Sequence, residues 1–243
     1  MKKILSVMLL CTLLLSCSKD EKEKLMINST SVSLHSGDTH FITTSNGTNV
    51  TFESQNPYIA LVNETTGEVT AMTIGTTIID VYSDQGNAKV EVTVNKKYNT
   101  FAEPCKDFTK TRSQIISMYG EPDSETDSGI AYAYDDNVHI ADMYIFKNNK
   151  IQSSTAIINQ DYAIETMKFL LERYWTLGEE DGLYMFVNGH SKETITMAVV
   201  MSKMSGYKLY QVMYFPYSSN TRCNVDNIML DESLLQKFAE FKE

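Results

Sequence analysis

The 243-residue chain carries 21 basic and 31 acidic residues, a formal charge of −10. Apolar content of 42% and charged content of 21% are ordinary for folded domains, which excludes wholesale disorder and leaves room for two modest domains. The acidity argues against nucleic acid and against electrostatic docking on anionic lipid, because both demand a basic face.

Lys2 and Lys3 precede a short apolar run from Ile4 to Leu15. A bilayer span needs about 20 apolar residues, so this run is too short to cross. A basic start with a short apolar stretch has the pattern of a secretory signal. It ends Leu14-Leu15-Ser16-Cys17, where an ordinary signal would show an A-x-A-like site. That ending resembles the bacterial lipobox, which implies a signal peptide over 1–16 and acylation of the Cys17 thiol at the mature N-terminus. The plainer reading is an ordinary signal with an incidental cysteine. Loss of 1–16 removes Lys2 and Lys3 and no acid, leaving −12.

Residues 17–26 form the lipidated cysteine and a tether, in which Ser18 to Lys24 offers three bases, three acids and nothing apolar to pack. Ser18-Lys19-Asp20-Glu21 resembles the export signal of surface lipoproteins in one phylum of Gram-negative gut bacteria. The resemblance implies a lipid-anchored outer-membrane protein exposed on the cell surface, with the periplasmic leaflet as the alternative.

From Ser31 to Val94 short strands alternate with polar turns. Val90, Val92 and Val94 alternate with Lys89, Glu91 and Thr93, and Thr77, Ile79 and Val81 share one face. Turn residues recur at Gly37, Asn46-Gly47, Thr66-Gly67, Gly75 and Gly86, the spacing of a β-sandwich. Phe52, Ser54, Asn56-Pro57, Ala60-Leu61-Val62, Thr66-Gly67-Glu68-Val69-Thr70-Ala71 and Gly75 keep one order and spacing. In this the segment resembles the bacterial Ig-like domain, group 2, over 27–95. The resemblance implies a seven-strand sandwich used in surface proteins as a spacer or adhesive module, with no reaction of its own.

Residues 96–243 have a different texture and are assigned to no family. Thr111 to Gln114 form a capping box, and Ile115, Ile116 and Tyr119 make a short stripe that Gly120 and Pro122 end. Strands are predicted near 130–136, 139–147 and 150–158, the last two joined by an Asn148-Asn149 turn. A second helix follows with Asp161 as cap and Ile164, Met167, Leu171 and Tyr174/Trp175 as its apolar side. Three more strands are expected near 183–188, 194–203 and 207–216. Helix starts about 51 residues apart suggest a duplication, over about 105–158 and 160–217. The fold class expected for the whole is therefore a multidomain chain. An all-β Ig-like sandwich precedes an α+β domain of two αβββ repeats on an antiparallel sheet. A final helix is expected at 231–241, with Leu234, Leu235, Phe238 and Phe241 on one side.

Chemistry is sparse. In an exported protein Cys105 and Cys223 are candidates for a disulfide closing the second domain, worth roughly 4–5 kcal/mol in loop-entropy models, or else two buried thiols. Neither sits in a nucleophile signature with His139 or His190, and Gly189-His190-Ser191 lacks the second glycine of a nucleophile elbow. Asp123, Glu125 and Asp127 miss the EF-hand pattern, since Gly129 stands seventh and Tyr134 twelfth. The histidines are not at metal-ligand spacing. The second domain is rich in tyrosine; Tyr132 with Tyr134, and Tyr210 with Tyr214, share faces and form a candidate ligand-binding platform, the alternative being core packing. The sequence thus reads as a non-enzymatic envelope lipoprotein without cofactor or metal. Its Ig-like spacer presents a domain that binds a glycan or an envelope protein, and the alternative is a structural accessory subunit of an outer-membrane complex.

Overall fold

The computed structural model describes residues 24–217. Cys17, Cys223 and the helix expected at 231–241 lie outside the described residues.

The first unit has seven strands: β1 (Ser31–His35), β2 (Thr39–Phe41), β3 (Thr51–Ser54), β4 (Ala60–Val62), β5 (Glu68–Ala71), β6 (Gly75–Ser83) and β7 (Gly86–Asn95). They form two sheets, β1-β7-β6-β3 and β2-β5-β4. The alternation in β6 and β7 does what its period requires: Ile79, Val81, Val90 and Val92 are buried in one cluster with Phe52, Val69 and Ile42. Each such side chain contributes about 1.5–3 kcal/mol when removed from water. Leu25 joins the same cluster, so the chain is already tucked into this sandwich where its description begins.

The second unit contains α1 (Arg112–Tyr119), β8 (Ser124–Glu125), β9 (Gly129–Ala133), β10 (His139–Lys147) and β11 (Lys150–Asn159). Then come α2 (Ala163–Leu171), β12 (Trp175–Glu180), β13 (Leu183–Val187), β14 (Met197–Lys203) and β15 (Leu209–Pro216). All eight strands make one antiparallel sheet in the order β12-β13-β14-β15-β11-β10-β9-β8. Each helix precedes a four-strand meander, and the two meanders meet at their last strands, β11 and β15.

Two expectations are corrected here. The unit is predominantly β, with two short helices, and each helix is followed by four strands in place of three. The added strands are the sheet edges. β8 has only two residues, and β12 is mostly exposed with a bulge between Thr176 and Gly178, so neither carries a readable burial period. The Thr111–Gln114 capping box is present, and Asn148 and Asn149 both take positive φ in the β10–β11 turn. By contrast Asp161 caps nothing: Asn159 caps a 3₁₀ turn over Gln160–Tyr162, and α2 starts after it.

One face of this sheet is buried under both helices and under the chain joining the two units. Ile130, Tyr144, Ser154, Tyr214, Val199 and Phe186 form a row across six strands, every one almost fully buried. Phe169 and Leu170 of α2 press on one half of this face and Ile115 of α1 on the other. The connecting segment lays Phe101 into the α2 side and Phe108 against both clusters. The stripe of α2 differs from expectation: Ile164 is 68% exposed and Leu171 42%, while Phe169 and Leu170 enter the core.

Candidate functional site

The end of α2 is where the two units join. Glu172 follows the helix and is 2% exposed. Its carboxylate accepts the backbone N–H of Lys97 at 2.8 Å and of Tyr98 at 3.1 Å, and pairs with Arg173. Arg173 is held in turn: its guanidinium donates to the carbonyls of Phe169 and Tyr98, both at 3.1 Å, and lies 3.6 Å from the Phe169 ring centroid. A buried charge is tolerated only when its lone pairs and its partner are satisfied in this manner.

The same turn reaches into the Ig-like unit through main-chain groups. Ile74 N–H, in the loop before β6, donates to the Glu172 carbonyl at 2.7 Å. Tyr58 donates its hydroxyl to the Arg173 carbonyl at 2.6 Å. Burial, then the Glu103 carboxylate, raises the Tyr58 hydroxyl above the usual tyrosine range. On the far side Glu103 accepts from Tyr174 and from Lys106 Nζ, the latter at 2.7 Å, and Lys106 also donates to the Tyr174 hydroxyl at 2.9 Å. The Tyr174 hydroxyl is raised by burial first and Glu103 second.

These contacts frame a cleft of about 330 Å³ between the units. Ser36, Gly37 and Thr70–Thr73 line it from the sandwich, and Leu171, Tyr174, Trp175 and Thr176 line it from the sheet domain. Trp175 is the single tryptophan of the chain, and Leu171 owes its place here to the rotation that takes it out of the core. An apolar, aromatic wall of Leu171, Tyr174 and Trp175 facing the sandwich residues suits a sugar ring or an apolar side chain of a partner. Sequence reading placed Leu171 and Trp175 on a core stripe. A cleft between units arises from residues 98 to 140 positions apart, which no local period records.

The tyrosines chosen from sequence stand elsewhere. Tyr132 and Tyr214 are 6% and 0% exposed, and Tyr134 and Tyr210 are half-buried; all four lie on the helix-covered face. Tyr132 donates to the Gly120 carbonyl at 3.0 Å, and Tyr134 donates to Asp142 at 3.0 Å. Burial, followed by Glu121, pushes the Tyr132 hydroxyl up to about 12. This burial takes them out of a solvent-facing platform: the face that alternation puts them on is the one that α1, α2 and the connecting chain cover.

Other candidates resolve into local structure. His139 Nε2 lies 2.9 Å from Asp142 Oδ1 and its ring packs on Phe101, tying the connecting chain to β10. Glu125 pairs with Arg112, which also donates to the Thr126 and Asp127 carbonyls, so the acidic loop is fastened to α1. Cys105 is half-buried in the α1 cluster, and its candidate partner Cys223 lies outside the described residues. Among the described residues no group of three His, Cys, Asp or Glu is placed to hold a metal, and no helix is long and apolar enough to cross a membrane.

Comparison with known proteins gives the first unit a class. Residues 26–94 match the family model of the bacterial Ig-like domain (group 2), under a third of the chain. The sandwich is therefore a bacterial Ig-like domain. No curated protein gives a significant match. Among solved structures, domains 5–6 of the S-layer protein SbsC are 14% identical at a TM-score of 0.25, covering 82% of this chain and 86% of that one. Domains 4–9 of the surface layer protein SbsC give 14% and 0.26, covering 82% of this chain and 27% of that one. Human protocadherin-24 EC1-2 gives 12% and 0.25, covering 80% and 93%. Overlaps this loose carry no functional argument.

Proposed function

We propose that this protein is a non-enzymatic envelope lipoprotein, anchored through acylated Cys17 in the outer membrane and facing the cell surface, that binds a glycan or a protein partner. The observation that carries the reading is the fixed junction at Glu172. An Ig-like spacer on a loose linker would merely lift the second domain, whereas here it supplies half of an aromatic cleft. The bacterial Ig-like domain and the lipobox-like start support an envelope location. Ile164 and Leu171, exposed on α2 seven positions apart, favour a second reading in which the same side docks a subunit of an envelope complex.

The whole chain, immobilised through its N-terminus, is to be screened on a glycan array and by cross-linking on intact cells, beside Trp175→Ala and Ile164→Asp. Retention lost with Trp175→Ala supports the cleft, and retention lost with Ile164→Asp alone supports the docking reading. Retention indifferent to both would sink the assignment. For the anchor, Cys17→Ala should release the protein from the membrane fraction; unchanged membrane retention would refute acylation.

A further inference from the structure

The polar groups around the cleft between the units are nearly all in use. Ser36 donates its hydroxyl to the Met72 carbonyl and Thr73 to the Tyr58 carbonyl, each at 2.6 Å. The Tyr174 hydroxyl donates to Glu103 and accepts from Lys106. The Gly37, Ala71 and Met72 amides are bonded within the sandwich, to the carbonyls of Ala71, Asp38 and Ile59. Among the described residues that line the cleft none is charged and none carries a side-chain amide. What remains for a ligand is the hydroxyls of Thr70 and Thr176 and the Trp175 indole N–H, set in the apolar surface of Ala71, Met72, Leu171 and Trp175. A sugar ring brings several hydroxyls, and each one buried without a partner costs about 1–3 kcal/mol. An apolar side chain leaves nothing unpaired and gains about 1.5–3 kcal/mol when fully buried. The balance favours the side chain.

The surface around the cleft carries the partner's other features. Ile164 and Leu171 are exposed two helical turns apart on one side of α2, so the apolar surface runs out of the cleft along the helix. Lys168, between them, has its ammonium over the Tyr98 ring. In the other direction Trp175 opens β12, an outer strand of the sheet. That strand carries Leu177, 59% exposed, and leads into Glu179, Glu180 and Asp181, all exposed. Among the described residues no cation pairs with these three carboxylates. Four residues of strand put Glu179 about 13 Å from Trp175. We infer that the cleft takes an apolar side chain of a protein partner whose neighbouring residues are basic, an inference that rests on the cleft being the binding site. A second copy of the chain meets this description poorly, because it brings the same formal charge of −10 to an acidic rim. The exposed carboxylates set encounter and register, and the buried apolar side chain supplies the affinity.

The test follows the emission of Trp175, the single tryptophan, in the whole chain. The probes are tryptophan-free peptides that the chain enriches from a displayed library of random dodecapeptides and, beside them, soluble mono- and disaccharides. Enriched peptides should carry an aliphatic or aromatic residue with Lys or Arg within about four positions, and should shift the emission saturably where the saccharides do not. Leu171→Asp, at an exposed position, should weaken the peptides at least about tenfold. Glu179→Gln combined with Glu180→Gln should weaken them about two- to fivefold and flatten the salt dependence. A saturable shift with a saccharide and none with peptides keeps the cleft as the binding site and overturns its assignment to a protein. Peptides that lack a basic residue, or that are indifferent to the glutamine pair, overturn the basic partner. No enriched peptide, or peptides that leave the emission unchanged while the saccharides are equally silent, overturn both this inference and the cleft reading beneath it.

Discussion

The Tyr58 hydroxyl, in the bacterial Ig-like domain, donates at 2.6 Å to the carbonyl of Arg173, 115 residues further along the chain. With the Ile74–Glu172 main-chain bond it makes the two units one mechanical piece. Tyr58→Phe keeps the ring and deletes the donor, leaving a half-buried carbonyl unpaired. The expected cost is about 1–2 kcal/mol in a urea titration, and the separation of the units in solution scattering should broaden. An unchanged titration and scattering curve would show that the Ile74 bond alone sets the geometry.

Glu172 carries more. Removing its carboxylate by Glu172→Ala strands the Arg173 guanidinium and the Lys97 and Tyr98 amides in a buried site. That loss should cost about 3–5 kcal/mol, and Glu172→Gln, which keeps one acceptor oxygen, should cost less. The tell-tale is the unfolding profile: one transition in the parent chain, two resolved transitions in Glu172→Ala. A single transition in both would mean that the units are coupled through other contacts.

The helix α2 shows how far a sequence can be read. Its existence follows from period and composition, but its end and its buried side do not: Tyr174 and Trp175 are expected on it, yet α2 stops at Leu171 and Trp175 opens β12. Ile164 and Leu171 fit an apolar stripe as well as Phe169 and Leu170 do, and only the sheet beneath decides between them. Phe169→Ala should destabilise by about 3–5 kcal/mol and Ile164→Ala by within about 0.5, by thermal or urea unfolding. Equal costs would contradict the register. In the sandwich the two long strands β6 and β7 were legible, because one-sided burial gives alternation such as Val90-Glu91-Val92. The edge strands β8 and β12 were not, having no buried side to alternate. The cleft was invisible for another reason: its walls meet through Tyr58, Ile74 and Glu172, and none of these pairings leaves a mark on local sequence.

Acid sensitivity of the sandwich should centre on Asp80. Hydrogen bonds from the Lys89 ammonium and then from the Gln55 amide hold its carboxyl below the usual carboxylate range. A carboxyl with a lowered folded pKa contributes stability above its unfolded value and loses it as the pH falls through the folded one. Lys89→Met should therefore flatten the decline of the urea midpoint between neutral and acid pH. The loss at neutral pH should stay small, since Lys89 is largely exposed. A decline as steep as in the parent would assign the acid limb to other carboxylates.

Gly67 is the position in the Ig-like domain where the backbone leaves least choice. It takes φ of +70°, and a β-carbon there would sit 2.5 Å from the Ile42 carbonyl oxygen and 2.7 Å from Phe52 Cζ. Ile42 and Phe52 are both core residues, and the Ile42 amide is itself bonded to the Gly67 carbonyl, so neither neighbour can retreat without opening the sandwich. Gly67→Ala adds backbone strain of about 1–2 kcal/mol to that clash, for a total of about 2–4 kcal/mol. Gly86→Ala separates the two effects. Its φ is +122°, yet nothing lies within 4 Å of the added carbon, so it reports strain alone. A urea titration should rank Gly67→Ala well below Gly86→Ala. Equal midpoints would mean that the Thr66–Gly67 turn relaxes away from Ile42, and that the close approach there is not what holds the turn against the core.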